Sequence, residues 1–294
     1  MASMPADEQL AAAPTMLRML LGSALRRLRE ERGVTREQAG YEIRASESKI
    51  SRMELGRVSF RPRDVADLLT FYGIAQDDPE RERLLSLMKD ANAPGWWHQF
   101  GDVIPSWLQP YVDLEGAASR IRTYELQVIP GLLQTRDYAR AVVKLEHGQA
   151  PAAEIERRVD LRLTRQQVLR RADPPQLWAV IDEAVLHRPI GGAQVLREQV
   201  QSLVEAARQP NITLQVMPFQ AGGSAAMGGA FTVLRFPEDG LSDVVYVELL
   251  TSALYLERPN DVEAYSKAME LLCMEARPPD QTADLLESLV KELS

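Results

Sequence analysis

A short polar run in the first quarter of the chain carries the residue types that read DNA bases. Glu47, Ser48 and, about one helical turn later, Arg52 lie on one side of a predicted helix. Ile50 and Met53 lie on the other side and can face a core. An arginine can donate two hydrogen bonds to guanine, and a glutamate can accept one from the N4 amine of cytosine. The pattern therefore predicts a recognition helix whose N-terminal residues meet base edges in the major groove.

Cationic residues flank this helix and predict contacts with the DNA backbone. Arg36, Lys49 and Arg57 are placed to bind phosphates, which set the register of a protein on DNA rather than its sequence preference. Ser46 is the expected helix cap, and Ser51 falls on the polar side. The predicted DNA-contacting residues are Arg36, Ser46, Glu47, Ser48, Lys49, Ser51, Arg52 and Arg57.

Five helices are expected to position these residues. A leucine stripe from Leu17 to Leu28 indicates the first helix, and Gly33 is expected to end it. Thr35 and Gln38 have the spacing of a capping box at the start of the second. Two short helices across a tight turn, buttressed by a longer helix before and another after, form a helix-turn-helix. The predicted helical segments are 17–33, 36–43, 46–56, 63–72 and 78–92.

The charge distribution supports contact with nucleic acid. Residues 17–63 contain twelve basic and six acidic residues, a local net charge of +6, whereas the whole chain carries −8. The remainder therefore carries −14 and would repel DNA. The alternative is an ordinary helical bundle with a solvated basic face, but the spacing, the caps, the turn and the charge all agree on the helix-turn-helix.

Residues 20–73 resemble the DNA-binding domain of the Xre/Cro/phage-repressor class. In that class an arginine of the first helix forms a buried ion pair with a glutamate of the recognition helix. The resemblance implies that Arg29 and Glu54 form this structural ion pair here. It also places the base-reading positions at Glu47, Ser48 and Arg52.

One position departs from the class pattern. Arg44 stands where the class usually has the glycine of the turn. If that residue adopts the left-handed backbone conformation, a side chain there costs about 1 kcal/mol.

Length and composition predict a two-domain α+β protein that is mainly helical. The chain of 294 residues, 45% hydrophobic, is long enough for two sizeable cores. We expect a disordered tail at 1–15, a five-helix DNA-binding bundle at 16–92 and a regulatory and dimerisation domain at 93–294, with the boundary at Ala93-Pro94-Gly95. A lone cysteine, Cys273, excludes an intrachain disulfide, no apolar run is long enough for a membrane helix, and no signal peptide is recognisable. We therefore expect a cytoplasmic protein without a membrane partner.

Aromatic residues cluster just after the boundary. Trp96, Trp97 and Trp107 lie within twelve residues of one another. They have two interpretations: an anchor that packs the linker onto the second domain, or the wall of an effector or partner pocket. The residues predicted for such a pocket are Trp96, Trp97, Trp107, Tyr124 and Glu125.

The second domain is expected to be α/β, with helices on a small and mostly antiparallel sheet. Alternating and β-branched residues predict the strands, and the short turns between the later ones favour antiparallel pairing. The predicted strands are 176–182, 212–217, 231–236, 244–249 and 253–257. The predicted helices are 106–127, one beginning at Thr135, 151–172, 193–208, 259–276 and 279–293.

The predicted helix at 151–172 is rich in arginine. Its cations are Arg157, Arg158, Arg162, Arg165, Arg170 and Arg171. We interpret them as a helix face that pairs with the acidic body of the domain; the alternative is a second contact with DNA or a partner.

Most of the second domain resembles the C-terminal domain of WhiJ-like, antitoxin-like regulators of actinobacteria. The motifs that carry this resemblance are Trp96-Trp97, Pro130-Gly131-Leu132-Leu133-Gln134-Thr135, Tyr138-Ala139-Arg140-Ala141, Tyr246-Val247-Glu248 and Ala253-Leu254-Tyr255-Leu256-Glu257. The resemblance implies a DNA-binding transcriptional regulator, often encoded beside a small companion protein in an arrangement like that of a toxin and its antitoxin. It implies no ligand.

No arrangement of residues predicts catalysis. The glycine-rich run 222–229, which we interpret as a loop, lacks the Lys-Ser/Thr pair of a phosphate-binding loop, and no Gly-x-Ser-x-Gly motif occurs. His98, His147 and His187 have no metal-ligand spacing. We therefore expect no enzyme activity, no cofactor and no metal.

Two functions are compatible with these observations. The first is a sequence-specific transcriptional regulator that binds a palindromic operator as a homodimer and senses a small companion protein or a small-molecule effector. The second is an antitoxin-like interaction module that sequesters a small partner, with DNA binding secondary.

Overall fold

The chain forms two compact units, each with its own core. The computed structural model describes residues 13–223, 226, 228–238 and 241–293. The N-terminal unit comprises residues 13–98 together with 238 and 241, and the C-terminal unit comprises the described residues of 99–237 and 242–293. The predicted class, α+β with an N-terminal helical bundle, is confirmed.

Five helices build the N-terminal unit, as predicted. They are α1 (Pro14–Glu31), α2 (Arg36–Glu42), α3 (Glu47–Glu54), α4 (Pro62–Phe71) and α5 (Pro79–Ala91), and a 3-10 helix, Trp96–Phe100, follows. Because α1 begins at Pro14, Pro14 and Thr15 are helical and buried rather than part of a disordered tail. The other residues of that predicted tail, apart from Ala13, lie outside the described residues.

Side-chain caps set the starts of α2 and α3. The Gln38 backbone N–H donates to Thr35 Oγ1 over 3.1 Å, and the Thr35 N–H donates to Gln38 Oε1 over 2.8 Å, so the predicted capping box is present. The Lys49 N–H donates to Ser46 Oγ over 3.2 Å, which fixes the first turn of α3.

Close backbone packing joins α1 to α3. Ile50 and Met53 of α3 are buried in the same core as Leu21 and Leu25 of α1. A Cβ atom on Gly22 would lie only 2.4 Å from the Met53 carbonyl oxygen, so this position has no room for a side chain. The glycine therefore allows α1 to approach the backbone of α3 directly.

The C-terminal unit places seven helices around one mixed six-stranded sheet in the described part of the chain. The helices are α6 (Gln109–Ala117), α7 (Arg136–Glu146), α8 (Ala152–Arg165), α9 (Glu183–His187), α10 (Ala193–Ala206), α11 (Pro259–Glu275) and α12 (Pro279–Glu292). The strands are β1 (Arg120–Glu125), β2 (Gln176–Asp182), β3 (Ile212–Met217), β4 (Phe231–Arg235), β5 (Val244–Glu248) and β6 (Ala253–Leu256). Short 3-10 helices lie at Gly131–Leu133, Gln166–Arg170 and Phe219–Ala221. The predicted loop at 222–229 falls partly on residues outside the described ones.

The described sheet is mixed: three of its five strand pairings are antiparallel, as expected, and two are parallel. Its order is β3-β2-β1-β4-β5-β6. Strands β4, β5 and β6 are antiparallel to their neighbours, and β4 pairs antiparallel with β1, but β1, β2 and β3 run parallel. The parallel half follows from the helices α7, α8 and α10, which form the crossovers that parallel strands require.

The prediction of one long helix over 106–127 is wrong. Helix α6 ends at Ala117, the backbone becomes extended at Ala118, and residues 120–125 form the central strand β1. Ile121 and Thr123 are β-branched, and hydrogen bonding to both β2 and β4 decides in favour of a strand. The predicted helix at 151–172 is also shorter, since α8 ends at Arg165 and a 3-10 helix continues to Arg170.

The two faces of the sheet differ in what covers them. Tyr124, Phe231 and Val245 point to the side where Met269 and Leu272 of α11 complete an apolar core. Thr123 and Thr232 point to the opposite side, where their hydroxyl groups lie 2.9 Å apart. A cavity lies on that opposite side of the sheet.

In the described ranges, no helix combines the length and the apolar character needed to cross a membrane.

The turn between α2 and α3 is strained at Arg44. This residue has φ 54°, the one positive φ outside glycine among the described residues. We predict that Arg44→Gly raises the free energy of unfolding of the N-terminal unit by about 0.5–1 kcal/mol, because glycine adopts this conformation without the Cβ clash. Hydrogen exchange of the α1 and α3 amides, without DNA, measures the change. Arg61→Gly is the matched control, since Arg61 has φ −77° and should lose stability; equal changes in both variants would refute the strain.

Candidate functional site

Helix α3 presents a polar face and buries an apolar one. Glu47, Ser48 and Arg52 are exposed, whereas Ile50 and Met53 are buried. Within the described chain, the Arg52 guanidinium makes no hydrogen bond or ion pair. The residues predicted to read bases are therefore on the free surface of the helix.

A buried carboxylate ties α3 to α1 and α2. Arg29 Nε donates to Glu54 Oε1 over 2.5 Å, Arg29 Nη2 donates to Glu54 Oε2 over 3.2 Å, and Arg36 Nε donates to Glu54 Oε2 over 2.9 Å. Arg29 and Glu54 are both buried. The hydrogen bond to Glu54 raises the pKa of Arg29 above its ordinary value, against the opposing effect of burial. The structure thus brings together the two residues predicted to pair, and adds Arg36 to them.

Two predicted phosphate contacts are engaged with carboxylates in this structure. Arg36 is held by Glu54, and Lys49 Nζ lies 2.5 Å from Asp64 Oδ2. Ser46 is exposed and caps the helix, Ser51 is partly exposed, and Arg57 is exposed. Arg36 and Lys49 would have to exchange these partners, or share them, to bind phosphate.

Sequence reasoning overlooked Tyr41. Its side chain is 87% exposed on α2, next to the strained Arg44. A helical wheel would have predicted that Tyr41 is exposed, because the buried residues of α2 are Ala39 and Gly40 and Tyr41 lies outside their face.

The C-terminal unit contains a cavity of about 730 Å³ against the face of the sheet that carries Thr123 and Thr232. The floor is formed by side chains of β1, β4 and β5, among them Thr123, Glu125, Thr232, Tyr246 and Glu248. This volume lies within the range of about 300–1,000 Å³ that is typical of small-molecule sites.

Three arginines of α8 form the opposite wall, and each is paired. Arg165 Nε and Nη2 donate to the two oxygens of the buried Glu115, each over 2.8 Å. Arg162 donates to Glu146 over 2.6 Å, and Arg158 donates to Glu154 over 2.8 Å. Arg157, outside the cavity, pairs with Asp102. Each of these four arginines is therefore paired with a carboxylate, and for Arg158 that carboxylate belongs to α8 itself.

Glu125 differs from the other carboxyl groups of the cavity. Among the described residues, none donates a hydrogen bond to its carboxyl group. Burial, followed by the charge of Glu248, raises the pKa of Glu125 to about 8, although Arg162 and Arg165 act in the opposite direction. Glu125 is therefore largely protonated at neutral pH.

The structure brings together only part of the predicted pocket. Trp107 and Glu125 line the cavity, and the Trp107 carbonyl accepts a hydrogen bond from Tyr255. Tyr124 points into the core on the other face of the sheet, and Trp96 and Trp97 are not among the lining residues. The paired arginines, Tyr246 and Glu248 were not predicted for this site. The alternation Ile121, Thr123, Glu125 was the available signal, but it was hidden by the prediction of a helix there.

A metal centre is not formed in the described part of the chain. No group of three or more His, Cys, Asp or Glu residues is arranged there to hold an ion.

Comparisons with known families match both units. A family model described as a helix-turn-helix domain matches residues 20–84. A second, described as a domain of unknown function (DUF5753), matches residues 108–288, which is more than half of the chain. The chain belongs to the DUF5753 family. No curated protein and no solved structure matches it.

The two matches cover the two candidate sites. The helix-turn-helix match includes α2, α3 and α4 and supports a DNA-binding regulator. The DUF5753 domain includes the sheet and α8, and with them nearly all of the cavity lining. The finer assignments to the Xre/Cro class and to WhiJ-like regulators stay predictions.

The buried ion pair generates the next prediction. Glu54→Ala leaves Arg29 buried without its counter-charge, and we expect a loss of roughly 3–5 kcal/mol in the free energy of unfolding of the N-terminal unit. Hydrogen exchange of the α1 amides measures the loss. Glu31→Ala is the control, because Glu31 pairs with Arg27 on the surface and should cost less than about 1 kcal/mol. Similar losses in the two variants would show that the Glu54 network does not hold the helices together.

The raised pKa of Glu125 generates a prediction for stability against pH. A carboxyl group with a folded pKa near 8 and an ordinary value of 4.5 stabilises the folded state at low pH, and this contribution is lost as the pH rises through that window. The slope is at most about 1.4 kcal/mol per pH unit. The Glu125→Gln side chain stays neutral at every pH. The free energy of unfolding of this variant, relative to that of the parent, should therefore increase as the pH rises from 5 to 9. Urea unfolding of the full chain across this range measures the difference.

The control for that series is Glu205→Gln. Glu205 is exposed on α10 and outside the cavity. A stability difference between Glu125→Gln and the parent that stays constant with pH would show that Glu125 ionises normally.

Proposed function

We propose that this DUF5753 protein is a sequence-specific transcriptional regulator. It binds a roughly palindromic operator as a homodimer, and its C-terminal unit adjusts DNA binding when it holds an effector, a small molecule or a small companion protein. Such a regulator works where the DNA is, in the cytoplasm. The exposed face of α3 is the observation that carries this proposal.

The α3 face has the chemistry of direct base readout. Glu47 and Ser48 occupy its first turn and Arg52 its second, and all three side chains are exposed. Arginine is the residue that most often reads guanine, through its O6 and N7 atoms. Because Ile50, Met53 and Glu54 are fixed in the core, the helix holds these donors and acceptors in a set direction.

The charge distribution supports DNA as the ligand of the N-terminal unit. A segment of net charge +6 attracts phosphates, whereas the acidic remainder disfavours contact with DNA outside this unit. Two reading helices on a symmetric dimer meet half-sites about 34 Å apart, which is why we propose a palindromic operator.

The cavity supports an effector as the ligand of the C-terminal unit. It has the volume of a small-molecule site and encloses the Glu125 carboxyl group, to which no described residue donates a hydrogen bond. An effector changes DNA binding only if it prefers one of two conformations of the protein. The proposal therefore requires a difference in ligand affinity between the DNA-bound and the free protein.

One observation favours the second function, an interaction module that sequesters a small protein. Leu250 is 98% exposed in the connection between β5 and β6, and Leu249 and Leu254 beside it are about half exposed. Adjacent exposed leucines are typical of a protein contact. A partner bound there would make DNA binding secondary.

The test of the proposed function is Arg52→Ala. The preferred sequence is first selected from random double-stranded DNA with the full-length parent protein. If Arg52 reads guanine, the variant should bind the selected sequence more weakly by roughly 1–3 kcal/mol and should lose its preference at one base pair. Fluorescence anisotropy at two salt concentrations measures both effects.

Arg208→Ala is the matched control, since it removes the same charge from the exposed surface of the C-terminal unit. Equal weakening of Arg52→Ala on all sequences would assign Arg52 to a phosphate instead of a base. If selection yields no preferred sequence and the protein captures a small partner, the second function replaces the first.

A further inference from the structure

Two carboxyl groups face each other across the floor of the cavity. Tyr124 pairs with Phe231 and Thr232 pairs with Tyr246, so the register places Glu125 and Glu248 on either side of residue 230. All three residues line the cavity. With strands about 4.8 Å apart, the backbones of the two glutamates are about 10 Å apart. Residue 230 is alanine, so the space between the carboxyl groups is open.

Aromatic residues line the same cavity, among them Tyr111 and Tyr246. Tyr246 stacks on Tyr111 with ring centroids 4.0 Å apart, and Tyr255 meets Tyr246 edge-on at 5.3 Å. Trp107 also lines the cavity. Aromatic rings beside carboxyl groups attract organic cations, because the faces of the rings carry negative partial charge.

In the described lining of the cavity, all three arginines are already paired. Arg158, Arg162 and Arg165 are each held by a carboxylate. Glu248 accepts a hydrogen bond from the Tyr246 hydroxyl over 2.9 Å, and Glu125 accepts none from the described residues. The described lining therefore offers a charged ligand the carboxyl groups of Glu125 and Glu248, and no unpaired arginine.

We propose that this cavity binds an organic cation, an alkylammonium or guanidinium group carried on an apolar body, with the charged group above Ala230 between Glu125 and Glu248. This inference rests on the proposed function only where it assigns the ligand as the effector. The binding site itself is inferred from the residues that line the cavity. A bare metal ion does not fit, because the described residues offer no third carboxylate, histidine or cysteine in one cluster.

Binding of the cation should release a proton. A cation beside Glu125 favours its ionised form, whereas burial raises the pKa of this carboxyl group to about 8 and so favours the protonated form at pH 7. The affinity should therefore rise with pH up to about 8 and then level off. The ionisable groups that face Glu125 or share its cavity are Tyr246 and Glu248 of β5, Arg158, Arg162 and Arg165 of α8, Tyr111 and Glu115 of α6, Tyr138 and Glu146 of α7, and His147.

The experiment is calorimetric titration of the full-length protein without DNA. The probes are cadaverine, spermidine and N-acetyl-lysine methylamide, and glutarate is the anionic counterpart. We expect at least one amine to bind and glutarate not to bind. We also expect proton release close to one at pH 7, measured in two buffers of different ionisation enthalpy. Tighter binding of the free amines indicates a small-molecule source, and tighter binding of the lysine derivative indicates a side chain of a partner.

Variants identify the site. Glu125→Gln and Glu248→Gln should each weaken amine binding at least tenfold, and Glu125→Gln should abolish the proton release. Glu205→Gln removes the same charge outside the cavity and should bind like the parent. Ala230→Leu fills the gap and should also prevent binding. Circular dichroism of each variant separates a loss of binding from a loss of folding.

Each result supports or overturns the proposal. No binding of any amine, binding of glutarate in their place, or equal losses in Glu205→Gln and Glu125→Gln would overturn it. If the amine binds but leaves DNA affinity unchanged, the site stands and the effector role in the proposed function fails. If the protein binds a specific DNA sequence but no amine, only the present inference fails.

Discussion

One buried carboxylate determines how helix α3, the proposed DNA-reading helix, is held. Glu54 receives hydrogen bonds from Arg29 of α1 and Arg36 of α2, so the three helices share a single charge network. A buried charge is stable only when its hydrogen bonds are nearly complete, and this requirement fixes the relative positions of the helices. Gly22 allows Arg29 of α1 to reach Glu54 of α3, because at this glycine α1 can lie directly on the α3 backbone. These buried contacts thereby fix the direction of the outer face of α3, and the residues on that face can serve recognition without affecting the core.

The central strand β1 plays a comparable part in the C-terminal unit. Alternate side chains of a strand point to opposite faces, so Tyr124 enters the apolar core while Thr123 and Glu125 face the cavity. A shift of one residue in its pairing would exchange these faces, bury Glu125 among apolar groups and expose Tyr124. The cavity therefore depends on the register of β1 with β4.

Local patterns predicted the N-terminal unit well and the C-terminal unit less well, for a physical reason. The caps of Thr35 and Ser46 are formed by neighbours in sequence, so the sequence contains all of the interaction. The strand at Arg120–Glu125 is stabilised by β2 and β4, which are far away in the chain. Its helical periodicity was therefore misleading. The unpredicted lining residue Glu248 was missed for the same reason, since only the sheet register brings it opposite Glu125.

The magnitude of screening limits how an effector could act on DNA binding. At physiological ionic strength charges on the surface are largely screened beyond about 8 Å, so neutralising a carboxyl group in the cavity would have little direct effect on a phosphate farther away. An effector must therefore prefer one of two conformations, each with its own DNA affinity. Glu125 provides a local pair of states, protonated and ionised, whose balance a bound cation would shift. Burial disfavours the ionised form of Glu125. The protonation of this residue therefore links ligand binding to the stability of the surrounding sheet.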